Sequence, residues 1–265
     1  MIRFGTDGIR GDAERDLTPD LIATLGRAAA RVIGTEHPFV VGRDTRQSGL
    51  RIEADLAAGL NGAGADVLRA GVVPTPAVAW LAQARNAPAA VVSASHNVYT
   101  DNGVKLFAPG GRKIPDDSQA AIEDELSAPP TATGRPEERG RAADLPDAAA
   151  QYVAHLTGAL SSRRLDGLTV VVDCAHGAAS GTAPAALRAL GADVTVIAAD
   201  PDGTNINDGC GSTHPQALQA AVRERGADAG LALDGDGDRV IAVDERGQLV
   251  DGARILAVLA LDRHR

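Results

Sequence analysis

The chain has 265 residues and a formal charge of −9, and its 44% hydrophobic but only 2% aromatic content means cores built from Ala, Val, Leu and Ile. That charge argues against nucleic acid or an anionic membrane as the principal partner, so any anion site must be basic locally against the global field. Met1-Ile2-Arg3-Phe4-Gly5 lacks the apolar run of a signal peptide, no stretch is long enough to span a bilayer, and the two cysteines, Cys174 and Cys210, lie far apart in sequence. The expectation is a cytoplasmic protein with reduced thiols.

Strand and helix signals alternate along the chain. Thr18 followed by Pro19 marks an N-cap and first turn, and Gly34 ends that helix. Phe39-Val40-Val41 reads as a strand, after which Ser48 is placed to cap a helix running toward Asn61. Asp66 to Val73 is the next strand, Thr75 to Arg85 the next helix, and Ala89-Val92 a short buried strand. Pro129 to Pro136 is proline-rich and reads as an exposed loop; beyond it Asp147 to Leu160 reads as a helix and Leu168-Val172 as a strand. Gly64-Ala65-Asp66-Val67 and Gly191-Ala192-Asp193-Val194 take similar places and hint at two copies of one layout. The pattern predicts two layered α/β domains with mostly parallel, mixed sheets, bounded at 1–145 and 146–250. Asp251 to Leu261 reads as one more helix, apolar on most sides, opening a third domain at 251–265. Such a helix is expected to dock on the second unit, to fray, or to bury itself against another copy of the chain.

Two segments carry chemistry. Asp234-Gly-Asp236-Gly-Asp238-Arg239 sets three carboxylates on alternate residues, where they share one side and can converge on a hard cation. Three like charges so close repel unless a divalent ion neutralises them, which weighs against a merely solvated acidic turn. An EF-hand would need glycine where Arg239 stands and helices where Leu231-Leu233 and Val240-Val243 read as strands. The second segment follows the strand Ala89-Val92, which delivers Ser93-Ala94-Ser95-His96-Asn97 into a polar turn ahead of Asp101-Asn102-Gly103-Val104-Lys105. A serine at the end of a buried strand sits at the sheet edge where open α/β folds place ligands, and it is a good carrier of a phosphoryl group. Cys174 and His176 could tempt one toward a thiol nucleophile, but nothing in the sequence orients the pair. No G-x-x-x-x-G-K-[ST] or G-x-G-x-x-G occurs, against NTP hydrolysis and dinucleotide chemistry.

Phe4-Gly5-Thr6-Asp7-Gly8-Ile9-Arg10-Gly11, Gly42-Arg43-Asp44-Thr45-Arg46-Gln47-Ser48-Gly49, Ser93 to Asn97 and Asp234 to Arg239, in that order, resemble the α-D-phosphohexomutase superfamily. Asn205 to His214 is similar to its hexosamine-phosphate branch, and the likeness runs from Ile2 to about Ala260. Val98 stands where the family usually has proline, and the chain ends where a third of four family domains would begin. The resemblance implies an isomerase in which phosphorylated Ser95 gives its phosphoryl group to a hexosamine monophosphate, makes a sugar bisphosphate, and takes the other phosphate back. Mg²⁺ would be held by Asp234, Asp236, Asp238 and an oxygen on Ser95. Arg10 would lie near the phosphoserine, Lys105 would handle the hydroxyl proton, His96 would bond a phosphate oxygen, and Arg43 and Arg239 would add positive field. The implied substrate is glucosamine 6-phosphate, with glucosamine 1-phosphate as product for cell-wall precursors. A mutase of mannose or glucose phosphates, or a metal-binding chain without turnover, are the alternatives.

Overall fold

The computed structural model describes residues 4–5, 8–127, 139–160 and 163–263. Thr6, Asp7 and the proline-rich segment from Pro129 to Pro136 lie outside the described residues. In chain order the first unit holds β1 (Ile9–Asp12), α1 (Pro19–Ile33), β2 (Phe39–Arg43), α2 (Gly49–Gly62), β3 (Val67–Val72), α3 (Thr75–Arg85), β4 (Ala89–Val92), β5 (Asp101–Ala108), β6 (Arg112–Lys113), α4 (Asp116–Ser127) and β7 (Ala142–Asp144). The second holds α5 (Ala148–Ala159), β8 (Thr169–Asp173), α6 (Thr182–Ala189), β9 (Asp193–Ile197), α7 (Gln216–Arg225), β10 (Ala229–Leu233), β11 (Val240–Asp244) and β12 (Leu249–Val250), and α8 (Gly252–Arg263) follows it.

Each unit is built on one mixed sheet whose parallel strands run from the middle to one edge, with the antiparallel pairings on the other side. The first runs β1-β5-β4-β2-β3-β7, with β6 on β5; β4, β2, β3 and β7 are parallel, and β5 turns back antiparallel beside β4. The second runs β12-β11-β10-β8-β9, parallel from β10 to β9 and antiparallel beyond β10. The two similar Gly-Ala-Asp-Val segments lead into β3 and β9, each pairing in parallel with the first parallel strand of its own sheet.

Small residues make the helix layers thin. Alternating side chains of β2, Phe39 and Val41 on one face and Val40 on the other, enter different cores. The first core lies under α1, α2 and α4, the second under α3 and α5. Between α1 and α2 there is no room for side chains at the crossing: a Cβ on Gly59 would stand 2.0 Å from the Ala23 carbonyl oxygen. Helix α5 joins the units, burying Ala148 and Tyr152 in the first unit's second core while also packing on α6.

Two local expectations change. The α1 cap is as expected, with Thr18 accepting from the Leu21 amide, but Ser48 makes no capping bond to α2. Its hydroxyl instead accepts from Asn102 Nδ2 at 2.9 Å, because the start of β5 lies over it. Helix α8 forms but does not bury its apolar side: Leu256, Val258, Leu259 and Leu261 are all exposed, while Arg163 reaches it through an ion pair with Asp262 at 2.9 Å. Among the described residues no helix is long and apolar enough to cross a membrane.

Candidate active site and metal centre

The ends of β4 and β10 meet where the two units meet. After β4 the chain turns sharply, and Ser95 takes a left-handed backbone (φ 55°) that ordinary residues avoid. Its neighbours hold it there. The Ser95 amide donates to Ser93 Oγ at 2.9 Å, and Ser93 Oγ in turn donates to Asp44. Asp44 also accepts from Arg46, and both side chains are fully buried. The Arg46 guanidinium then collects the carbonyls of Ser95 (3.1 Å), Asn97 (2.9 Å) and Val98. From the second unit, Asn207 Nδ2 donates to the same Ser95 and Asn97 carbonyls at 2.9 and 3.0 Å. The approach is close: a Cβ on Gly235 would lie 2.6 Å from the Ser95 carbonyl oxygen. Burial pushes the Asp44 carboxyl up, and Arg46 and Ser93 oppose it.

Facing this turn, β10 and β11 form an antiparallel hairpin whose connection carries the three aspartates. An EF-hand, which needs a helix on each side, is thereby excluded. One carboxylate oxygen from each of Asp234, Asp236 and Asp238 lies within 4.8 Å of the others. Ser95 Oγ donates to Asp234 Oδ2 at 2.6 Å, and the Arg239 guanidinium touches both Ser95 Oγ and His96 Nδ1 while its Nε lies 3.1 Å from Asp234. Lys105, on β5 between β1 and β4 and only 4% exposed, donates to Asp236 Oδ2 at 2.7 Å and to Asp238 at 3.0 Å. Thr75 Oγ1, at the start of α3, donates to that same Asp236 oxygen at 2.7 Å.

These charges disturb one another. Burial and the Asp236 charge push the Asp234 carboxyl up to about 6. Burial works the same way on Asp236, yet Lys105 and Thr75 outweigh it and hold that carboxyl below its ordinary range. Burial and the nearby Arg239 and Arg10 guanidiniums lower His96, so its imidazole is neutral near pH 7. The donor set suits a small hard cation, being all oxygen with three carboxylates on one spot. Asp236 Oδ1 points the same way: it is buried without a hydrogen-bond partner, because both donors take Oδ2.

The structure thus brings Ser95, His96, Lys105, Asp234, Asp236, Asp238 and Arg239 together. Arg10 lies beside them on β1, its Nη1 3.5 Å from the Ala94 carbonyl. Arg43 is not with them. Its Nε pairs with Glu53 Oε2 at 3.1 Å on the far side of β2, because α2 supplies a buried carboxylate there. Thr75, Asp44, Arg46 and Asn207 escaped the sequence reading as contributors. An acid and an arginine directly after the buried strand Phe39-Val41 were the visible signal for Asp44 and Arg46. Cys174 is buried, and its thiol is pushed up to about 12, which leaves no thiolate for chemistry beside His176.

Residues 1–132 match the family described as phosphoglucomutase/phosphomannomutase, alpha/beta/alpha domain I, and residues 150–247 match its domain II. Phosphoglucosamine mutase from Acidothermus cellulolyticus is 56% identical, the match covering 97% of this chain and 57% of that protein. Phosphoglucosamine mutase from Mycobacterium sp. (strain KMS) is 53% identical, covering 97% and 59%. A phosphoglucomutase/phosphomannomutase family protein from Burkholderia thailandensis has a similar crystal structure, with a TM-score of 0.85 at 31% identity, covering 100% of this chain and 60% of that one. The chain therefore spans between 57% and 59% of the length of these curated relatives.

Proposed function

The chain belongs to the phosphoglucomutase/phosphomannomutase family, and from that premise we propose that it performs the phosphoryl transfer of a phosphoglucosamine mutase. Glucosamine 6-phosphate and glucosamine 1-phosphate would exchange through phosphorylated Ser95 and a sugar bisphosphate, in the cytoplasm. The observation that carries this reading is Ser95 Oγ, held 2.6 Å from Asp234 in a turn clamped by both units. The hexosamine substrate, rather than a glucose or mannose phosphate, is supported by relatives of that name at 53–56% identity. We divide the chain at 1–145 and 146–250, with α5 as the link between units and 251–265 apart.

In the forward half-reaction the bond between Ser95 Oγ and phosphorus breaks as one forms to a sugar hydroxyl; the hydroxyl gives up its proton and Ser95 Oγ, the leaving group, takes one. In the second half Ser95 Oγ gives up that proton as it bonds the other phosphorus, and the sugar oxygen that this phosphate leaves takes a proton back. We assign the sugar's proton to Lys105, whose Nζ bonds Asp236 and Asp238 of the same cluster, as base in one half and acid in the other. Arg239 holds Ser95 Oγ and lends positive charge to the transferring group. His96, neutral, donates to a phosphate oxygen, and Arg10 adds positive field at the turn. Asp234, Asp236, Asp238 and an oxygen on phosphorylated Ser95 would hold Mg²⁺, which when bound supplies the charge neutralisation that phosphoryl transfer requires.

Incubation with glucose 1,6-bisphosphate and Mg²⁺ followed by peptide mass spectrometry tests this. One phosphate on Ser95, and none in Ser95→Ala, is expected; a label on Ser93 alone would overturn the assignment. In a coupled assay with glucosamine 6-phosphate, Ser95→Ala should lower any turnover by a factor on the order of 10³ or more.

A further inference from the structure

The Gly42 to Arg46 segment splits its arginines between two places. Arg46 serves the Ser95 turn, whereas Arg43 faces a cavity of about 460 Å³ at the ends of β2 and β3. Glu53, Arg69, Gly71 and Asp144 line the same cavity, and none of its lining residues belongs to the aspartate cluster. Each guanidinium is tethered by its Nε alone: Arg43 to Glu53 Oε2 at 3.1 Å, Arg69 to Asp144 Oδ1 at 2.9 Å. Among the described residues their terminal amino groups make no hydrogen bond, so each presents an oriented fork of donors. Glu53 is only 5% exposed, and its second oxygen, Oε1, is buried with no partner.

We propose that this cavity is a second binding site, for a small phosphate ester carrying a hydroxyl or amino group beside its phosphate. Paired guanidinium forks match the oxygens of a tetrahedral oxyanion and bind it in bidentate fashion. An unpaired buried carboxylate oxygen costs free energy until a donor reaches it, and a neighbouring hydroxyl or ammonium is such a donor. The position agrees, since open α/β sheets take ligands at the carboxyl ends of parallel strands. The size agrees as well, lying within the range of small-molecule sites. The cavity's residues are separate from those assigned to the reaction at Ser95, Arg43 apart.

Calorimetric titration of the protein without divalent metal, using glycerol 3-phosphate, methyl phosphate and sulfate as probes, tests it. Glycerol 3-phosphate should bind saturably at one site per chain, several-fold more tightly than methyl phosphate or sulfate, which lack the neighbouring hydroxyl. Arg69→Ala should weaken it by about tenfold or more, with melting temperature and Mg²⁺ binding unchanged. Arg69→Lys, which keeps the charge but loses the fork, should weaken it too. Absence of saturable binding below about 10 mM, or equal binding by parent and Arg69→Ala, overturns the site. Binding that is lost in Arg239→Ala but kept in Arg69→Ala places the anion at Ser95 and overturns it equally. Equal affinity for glycerol 3-phosphate and methyl phosphate removes the role given to Glu53 and with it the proposed ligand class.

Discussion

Asp236 shows how a single carboxylate is divided between two tasks. Lys105 and Thr75 both donate to Oδ2, and Oδ1 is left buried and bare, so the residue is prepared to give a cation one oxygen rather than two. Thr75→Val removes one of those donors at nearly constant volume. Mg²⁺ affinity measured by calorimetry should then fall roughly tenfold with the fold intact, the size expected for a hydrogen bond to a charged ligand group. Asp234 adds a pH dependence. Without metal its carboxyl is raised to about 6, chiefly by burial, and a protonated carboxyl cannot hold a cation. Below pH 6, therefore, each further unit of acidity should raise the Mg²⁺ dissociation constant, approaching tenfold per unit as the ionised fraction of Asp234 shrinks, with little change between pH 7 and 8. The stability of the metal-free chain runs the other way. A carboxyl whose folded value lies above its unfolded one contributes stability at low pH and loses it as pH rises through about 6. Melting temperatures without metal should accordingly carry a component from this group that favours pH 5 over pH 7.

The turn between β4 and β5 is held by an element that the strand pattern does not reveal. Arg46, fully buried, is paired with an equally buried Asp44 and bonded to three carbonyls of the turn. Arg46→Met should cost about 3–5 kcal/mol in urea unfolding, since it strands the Asp44 charge and uncaps the carbonyls together. A loss under 1 kcal/mol, the size of a surface pair, would show that the turn stands without it. What was legible in sequence was whatever depends on local pattern. Ala89-Val92 reads as a buried strand because all four residues are apolar, and Thr75 to Arg85 as a helix because proline opens it; both form over those residues. The serine turn and the aspartate hairpin were likewise visible as runs of unusual residues. What was not legible depends on partners distant in sequence. Ser48 looked like a cap until Asn102 claimed it. Arg43 read as a site residue, but its partner is Glu53 on α2, ten positions on, and nothing in the strand pattern announces that pairing. Asn207 lay within a segment read for its likeness, while its contact with Ser95 spans 112 positions.

The two units meet at the proposed site itself: Ser95 and Asp234, Thr75 and Asp236, Thr45 and the His176 carbonyl are all contacts across the seam. At the far end α8 shows Leu256 at 68% exposure, with Val258, Leu259 and Leu261 similarly bare. A short helix apolar on most sides is marginal in water unless it packs on something. The 265-residue chain should therefore self-associate as its concentration rises, and Leu256→Glu with Leu259→Glu should abolish this in sedimentation velocity. A parent chain that stays monomeric over a wide concentration range would remove α8 as an association surface. The seam has a consequence of another kind, for heredity. Gly235 lies against the Ser95 carbonyl with no space for one more carbon, and Asn207 grips the same atom. A gene crossover between β7 and β8 would join halves that look like complete folds, each with its own sheet and core. The serine would nevertheless be presented only if the incoming half kept that glycine and that asparagine in register with a loop it had never met. Recombination among relatives is thus filtered at this seam, and the piece that can be inherited whole is the pair of units rather than either one.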